Sequence, residues 1–564
     1  MKQPPLKIGL ICDAGKRNWL TDYLVNESEK SEAFRVSLII EQDLEEITSG
    51  TIVGRILRYG HAKGWTRLLE AIAFKILSRI DELVSRKKLS LLLENAPPSA
   101  DYSRINHIMI KPVMSKSLNV FSYKNCDLEK IRGFDVDALV RCGSGILVGG
   151  ILNLCRFGVL SFHHGDNRIC RGGPAGFWEV YHRHGETGFV VQKLTDSLDG
   201  GVILYRGSCI TLPTYSLNNV NVNLRSLFAM RLTIEKMYLA CLSLEDNPSL
   251  YSSRLFTTPS PFEQVVFLYK IATFGCKYLW QRIFGFYAHW DIYWVASKSW
   301  RNTCLYKMTK VNSKPGVFFA DPFIYEHGDE TYIFVEEFRL KESKGVISCL
   351  KKVGDQFHYL GVVLEKKSHL SFPFIIQNGE DIYLLPESAS DLTVDLYKCV
   401  EFPMSWQRVS SPVTGLSCAD SIVFWKDPYW VLLTNVDPFN LGEHSNQLYG
   451  FRSFDLEKDD WELMSSYPLC ADAGQARNAG CFSDGDDLYR VCQKHHFGFY
   501  GAGFGVSKLS INDSFDLIDE KFVEEVYPDF DTQISGAHTL SVSGSHVCID
   551  MVTKNRGFFA RLRK

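Results

Sequence analysis

The chain changes rhythm near its middle. In the first half, short apolar runs alternate with amphipathic stretches, whereas beyond about residue 290 paired period-two runs recur around turn residues. Residues 7–13, KIGLICD, predict a first buried parallel strand ending at a glycine-containing turn, and residues 35–40 predict a second after a polar helix. Further on, 127–132 predict a helix, 136–141 a buried strand, 146–154 a helix, and Val159, Leu160 and Ser161 the next strand. Strands alternating with helices predict a doubly wound, Rossmann-like α/β domain over residues 1–210, with its reactive groups outside the carboxyl ends of the strands. No G-x-G-x-x-G follows the first strand, which argues against a dinucleotide cofactor.

Two helical stretches interrupt this order. Residues 51–90 carry Arg55, Arg58, Lys63, Arg67, Lys75, Arg79, Arg86, Lys87 and Lys88 against only Glu70, Asp81 and Glu82. Such a basic amphipathic insertion presents a solvated face or meets an anionic lipid or sugar diphosphate. Residues 211–289 predict a helical connector whose apolar part, 265–287, is broken by Lys270, Lys277 and Arg282 too often for a membrane span.

The second half is organised by a repeat. When Asp321, Phe372, Asp420, Asn478 and Ala537 are aligned, Gly328, Gly379, Gly485 and Gly544 each follow seven residues later, with Asp427 in the third unit. Each unit predicts two strands around a tight turn. The starts lie 51, 48, 58 and 59 residues apart, enough for a four-stranded antiparallel sheet each time, so residues 290–564 predict an all-β five-bladed propeller. The first strand of each blade lines the channel, which brings Asp321, Asp420, Arg477, Asn478 and His538 together as a set suited to sugar hydroxyls. Glu336 and Glu387 each follow their unit's start by fifteen residues and are possible additions. This half resembles the amino-terminal domain of plant glucosamine inositolphosphorylceramide transferases, and more loosely the five-bladed glycoside hydrolases. Such hydrolases need two carboxyls flanking the bond, a role open to Asp321 and Asp420, but the second unit carries Phe372 where they usually carry an acid.

Composition narrows the setting. With 564 residues the chain holds two or more domains, and a net charge of -3 gives no general attraction for nucleic acid. Sixteen cysteines without a Cys-x-x-Cys pair, and an amino terminus entering a strand without a long apolar region, fit a reducing cytoplasm.

Candidate chemistry concentrates in residues 158–201, GVLSFHHGDNRICRGGPAGFWEVYHRHGETGFVVQKLTDSLDGG. A strand ending in Ser161-x-His163, then Arg171-Gly172, Trp178 at a helix start, Thr187-Gly188 at a hairpin and Leu198-Asp199-Gly200-Gly201 resembles the folate-dependent formyltransferases. The resemblance implies 10-formyltetrahydrofolate as co-substrate, with Arg171, Gly172, Gly143 and Asp166 toward it. It implies His163 as general base and Asp199 as its orienting partner. The family's asparagine, an oxyanion donor, is Ser161 here, and its Ser-Leu-Leu-Pro segment is Gly165-Asp166-Asn167-Arg168. The shorter hydroxyl leaves open a slow enzyme, an abandoned reaction, or a donor relocated to His164, Asn167 or Arg168. His182 and His184 have the spacing of a metal pair but no ligand set beside them, and are read as turn histidines, so no metal is expected. The leading expectation is N-formylation of an amino sugar, foremost a nucleotide-linked one, in making a surface glycan. Formylation of initiator tRNA is disfavoured, because that branch carries a small basic barrel after the catalytic domain. The rivals are a glycan hydrolase or transferase centred on the propeller and a non-catalytic sugar-binding protein.

Overall fold

The structure, a computed structural model, describes residues 3–44, 52–116, 118–196, 200–242, 251–283, 288–515 and 518–553. The chain forms two compact units, 1–273 and 274–564. All sixteen cysteines are free thiols.

In the first unit the order is β1 (Leu6–Asp13), α1 (Trp19–Lys30), β2 (Phe34–Gln42), α2 (Ile52–Lys63), α3 (Trp65–Leu93), β3 (Asn106–Ile110), α4 (Asn125–Arg132), β4 (Ala138–Arg141), β5 (Val159–His163), α5 (Phe177–His182), β6 (Glu186–Lys193), β7 (Val202–Ile210), α6 (Tyr215–Tyr238) and α7 (Pro261–Ile283). One sheet runs β7-β6-β5-β4-β1-β2-β3. β5, β4, β1, β2 and β3 are parallel, β6 is antiparallel to β5, and β7 is antiparallel to β6. Strand order reverses between β1 and β4, the topological switch point. Ile11, Leu38, Ile40, Leu139 and Val159 pack with Leu128, Ile131, Leu147 and Ile151 as a core on one face. α1 starts cleanly because Asn18 accepts from the Thr21 N–H at 3.0 Å while the Thr21 hydroxyl accepts from the Asn18 N–H at 3.0 Å.

Three readings of the sequence are corrected here. Residues 146–154 do not form a helix: Gly145 and Gly149 adopt positive φ, and the segment becomes a two-residue strand and a 3-10 turn. Thr187-Gly188 lies inside β6 instead of at a hairpin; a Cβ on Gly188 would stand 2.7 Å from the Asp166 backbone nitrogen, so close packing, not a turn, requires glycine. α6 was expected within a connector, yet it buries Leu217, Leu224, Met230 and Ile234 and packs on β6, β7 and α1. No described helix is long and apolar enough to cross a membrane.

Among the described residues, the second unit contains five four-stranded antiparallel sheets. Four are meanders over 317–364, 371–414, 418–463 and 478–526; the fifth joins strands His289–Ala296 and Thr309–Lys310 to Ile534–Ser543 and His546–Thr553. The first strands of the five adjoin one another in sequence, and the last adjoins the first. Each carries a register shift at its aligned start. At those bulges Asp321, Phe372 and Asp420 take positive φ near +48°, +46° and +48°.

A left-handed non-glycine residue costs about 1–2 kcal/mol, and a chain of side-chain bonds between neighbouring sheets holds these bulges. The Asp321 N–H donates to Asp550 Oδ2 at 3.0 Å, Phe372 N–H to Asp321 Oδ2 at 3.1 Å, Asp420 N–H to Glu387 Oε2 at 3.2 Å and Asn478 N–H to Asn435 Oδ1 at 2.8 Å. The repeat seen in the sequence is therefore a repeated backbone need, met by a polar side chain from the adjacent sheet.

Candidate functional site

The switch point of the first unit opens into a cleft of about 520 Å³ lined by residues following β1 (Arg17, Asn18), the end of β4 (Arg141, Cys142, Gly143) and the end of β5 (Ser161, Phe162, His164). A second cavity of about 400 Å³ shares Arg141 and continues over Ser144, Gly145 and Phe121. The wall is fixed by Asp13, whose Oδ1 accepts from the Ser144 N–H at 2.8 Å and whose Oδ2 accepts from the Ser144 hydroxyl at 2.6 Å. Gly143 fits because a Cβ there would stand 2.8 Å from Asp13 Oδ1.

Arg141 and Ser161 are register partners on adjacent parallel strands. Arg141 donates from Nε to the Ser161 hydroxyl at 3.0 Å and from a terminal nitrogen to the Gly145 carbonyl at 2.5 Å. The Ser161 hydroxyl in turn donates to the Phe162 carbonyl at 3.1 Å. Its proton is thus committed, and the groups that line the cleft with it include the Arg141 guanidinium and the His164 imidazole. Arg141 was missed by sequence reasoning, although an arginine ending the run DALVR was its signal.

His163 is buried at the end of β5, with Nε2 2.8 Å from the Cys170 carbonyl. A carbonyl partner places the ring proton on Nε2 and leaves Nδ1 as the acceptor nitrogen. His163 does not line the larger cleft; its neighbour His164 does. His164 stacks on Phe162 and contacts the Ser226 hydroxyl at 3.1 Å. Burial, then His163 and Arg141, pull the pKa of His164 down to about 3, so it is neutral at physiological pH. Asp199, expected as the partner of His163, lies outside the described residues.

Sequence reasoning also missed Glu179, which is 3% exposed on α5. Burial raises its carboxyl to about 7, and neither oxygen has a hydrogen-bond partner of normal geometry. A Cβ placed on Gly165 would stand 3.0 Å from His163 Nε2 and 3.6 Å from Glu179 Oε1, so imidazole and carboxyl share one small gap.

Of the residues expected to face the folate, Gly143 alone lines the cleft. Asp166 instead pairs with Arg168 at 2.7 Å and Arg206 at 2.9 Å, which hold its carboxyl low against burial. Arg171 donates from Nε to the Asn167 carbonyl at 2.8 Å and lies over the Tyr251 ring. Gly172, at φ +96°, presses against the Phe256 carbonyl, 2.1 Å from where a Cβ would sit. These three build the loop that follows β5. Arg168 and Asn167 are likewise engaged in that loop, which leaves His164, of the three replacement donors considered, on the cleft wall. His182 and His184 stack with centroids 5.7 Å apart, and burial lowers both.

In the second unit the predicted set does converge, with roles partly different from those expected. Arg477 Nε is 2.6 Å from Asp420 Oδ2, Gln493 donates to the same oxygen at 3.1 Å, and Asn478 Nδ2 donates to the Asp420 carbonyl at 2.7 Å. Asp321 accepts the Thr539 hydroxyl on Oδ1 at 3.0 Å as well as the Phe372 N–H, so it joins sheets together. Burial raises Asp321 to about 6 despite His538 beside it, and burial followed by neighbouring carboxylates raises Glu336 and Glu387 well above the usual range. His538 lies 2.7 Å from Asp550 and 3.3 Å from Asp321, with its ring centroid 3.9 Å from that of the tilted Trp290 ring; the two carboxylates outweigh burial and raise its pKa. Among the described residues, Asp321, His538 and Asp550 form the grouping with metal-ligand spacing, their ligand atoms within 4.8 Å of one another. The Asp550 oxygens already accept three backbone N–H groups, from Asp321, His538 and Thr539.

Comparison with known proteins finds a family match within the second unit. Residues 298–531 match the family described as glucosamine inositolphosphorylceramide transferase 1, N-terminal. A glucosamine inositolphosphorylceramide transferase 1 of Arabidopsis thaliana is 31% identical over 203 residues, 35% of this chain and 26% of that protein. The Oryza sativa subsp. indica protein of the same description is 28% identical over 123 residues, 22% of this chain and 16% of its own length. The chain thus spans about a quarter or less of these relatives. Among solved structures, glycinamide ribonucleotide transformylase 1 from Symbiobacterium toebii aligns at a TM-score of 0.29 and 14% identity, covering 43% of this chain and 92% of that one. The family 117 glycoside hydrolase Zg3597 from Zobellia galactanivorans aligns at 0.31 and 10%, covering 48% and 91%.

Proposed function

We propose that the first unit transfers a formyl group from 10-formyltetrahydrofolate to the amine of a nucleotide-linked amino sugar, and that the second is a five-bladed propeller that binds carbohydrate. The observation that carries the reading is the pair of adjoining cavities sharing Arg141 at the switch point, one of them walled by Ser161 and His164. Their volumes, about 520 and 400 Å³, fall in the range that encloses small organic ligands, which suits a two-substrate reaction.

In this reading the neutral amine attacks the formyl carbon and the carbonyl oxygen becomes an oxyanion. Arg141 supplies the N–H donor that the family's asparagine amide would otherwise offer, and a positive charge besides, standing where Ser161 leaves room. His163, next to the cleft-lining His164 and with Nε2 held at the Cys170 carbonyl, is the general base that takes the amine proton. Collapse breaks the bond to the folate nitrogen, which leaves with a proton as tetrahydrofolate. His164, kept neutral, accepts a hydrogen bond from the amine without competing for its proton. Trp290 and Tyr500 beside Arg477, Asp420 and Asn478 offer the second unit aromatic faces and hydrogen-bonding groups of the kind sugars use. A reducing cytoplasm suits the folate and the free thiols.

The test incubates the full chain with 10-formyltetrahydrofolate and a panel of nucleotide-linked amino sugars, detecting the formylated sugar by mass. The parent yields an adduct, and folded His163→Ala does not; parent-like turnover in that variant removes His163 from the chemistry.

A second reading, glycan cleavage or transfer in the propeller, is favoured by the Glu336 and Glu387 carboxyls, which burial and then the neighbouring carboxylates Asp321 and Asp420 push well above the usual range. It predicts that Glu387→Gln abolishes cleavage and His163→Ala leaves it intact.

A further inference from the structure

α3 is amphipathic twice. One face points inward, where Leu77 and Leu92 are buried, the Asp81 carboxylate accepts the Ser216 N–H at 2.7 Å, and the Ser85 and Thr214 hydroxyls meet at 2.7 Å. A second apolar face points outward. Steps of three and four residues keep Trp65, Leu69, Ile72, Ile76, Ile80 and Leu83 on one side of the helix, and they are 51%, 63%, 41%, 58%, 45% and 71% exposed. Large aliphatic residues lined up in solvent over more than four turns are a patch that calls for an occupant. At 100° per residue, Lys75, Arg79 and Arg86 fall along one edge of that stripe and Lys87 within it, all exposed. Of the helix's acids only Glu82 meets this set, pairing with Arg79 at 2.7 Å; Glu70 pairs with Arg67 at 2.9 Å and Asp81 is turned inward, so Lys75, Arg86 and Lys87 keep the edge basic. α7 starts beside this helix, with Gln264 donating to the Glu70 carbonyl at 3.1 Å, and it exposes Phe262, Val265 and Tyr269.

We propose that α3 lies on an anionic lipid surface, its outward stripe in the headgroup and acyl boundary and its Lys and Arg edge against lipid phosphates and carboxylates. The charge pattern selects this occupant. A second copy would lay the stripe against itself across a two-fold axis and bring basic edges together with no acidic edge to meet them. A lipid surface takes aliphatic and tryptophan side chains and basic residues in one plane, and long Lys and Arg stems reach up from the apolar boundary to the headgroups. The helix supplies no span, so the contact is peripheral and reversible.

The experiment is co-sedimentation of the full chain with vesicles of phosphatidylcholine alone and of phosphatidylcholine with phosphatidylserine. The parent binds the mixed vesicles, and raising salt weakens that binding. Lys75→Glu, Arg79→Glu and Arg86→Glu together lower it by about a hundredfold, since each basic group near an anionic surface contributes several-fold. Leu69→Glu, Ile76→Glu and Leu83→Glu together abolish it with circular dichroism unchanged, and serine at the same positions also weakens it. The proposal is overturned if the parent ignores mixed vesicles, or if the aliphatic variants bind as the parent does. It is equally overturned if light scattering finds a dimer that the aliphatic variants disperse while vesicles are not bound, which assigns the face to a second copy.

Discussion

Replacing Glu179 by glutamine should remove one defined contribution to the pH dependence of the first unit's stability, the loss that burying this carboxyl causes as pH rises above about 5. The carboxyl is 3% exposed and burial raises it from 4.5 to about 7. A folded pKa above the unfolded one means that stability is complete below about pH 4.5 and is lost as pH rises through about 7. At 1.36 kcal/mol per pKa unit, the buried carboxylate costs about 3 kcal/mol once ionised, of which about 2–3 kcal/mol falls between about pH 5 and pH 8. The amide has its own cost in this buried site, but that cost does not change with pH and cancels in the difference. A unit of this size shifts its melting temperature by about 2–4 °C per kcal/mol. Scanning calorimetry of the full chain should therefore find the parent's first-unit transition about 5 °C or more lower at pH 8 than at pH 5 relative to Glu179→Gln. Parallel pH profiles for the two proteins would refute the assignment of Glu179 as a buried, unpaired acid.

Three further outcomes follow from the same structure. Arg477→Met leaves the Asp420 carboxylate buried without its cation and should destabilise the second unit by about 3–5 kcal/mol in chemical denaturation; a loss under about 1 kcal/mol would mean the pair is not buried as described. Asp550→Ala strips the acceptor from the Asp321, His538 and Thr539 N–H groups and should cost at least about 3 kcal/mol, while Asp550→Asn, which keeps one carbonyl oxygen, costs less; equal losses would deny the carboxylate its role between sheets. Arg141→Met should lower formyl transfer by about 10²–10³ with the protein folded, as loss of an oxyanion stabiliser does, and unchanged turnover would return that role to another group.

Much of this was legible because the local pattern and the tertiary need agree. Apolar runs ending at glycine or arginine marked β1, β4 and β5, and the spacing from Asp321 to Gly328 and its counterparts marked hairpins whose turn glycines adopt positive φ of 52–63°. The repeat also identified Phe372 as a departure, and it fills the core, unexposed and 4.8 Å from the Phe323 ring. What escaped depends on contacts between segments far apart in sequence. Residues 146–154 have apolar helical spacing, but glycines at 145 and 149 bend the backbone out of a helix. Gly188 reads as a turn residue, and only the approach of Asp166 reveals that it is needed inside a strand. Glu179 lies in a helix pattern that would equally suit a solvated acid, and its burial depends on the loop from Gly165 to Cys170 folding over it. Asp321 and Asp420 were read as ligands for a sugar, and no local signal separates that from joining neighbouring sheets.

The most direct test is equilibrium binding of tetrahydrofolate to the full chain, followed by quenching of tryptophan fluorescence. The account predicts saturable binding by the parent, loss of it in Ser161→Phe, which fills the cleft beside Arg141, and parent-like binding when Glu336→Gln and Glu387→Gln are combined. Absence of binding by the parent, or binding that Ser161→Phe leaves unchanged, would contradict a folate site at the carboxyl ends of β4 and β5.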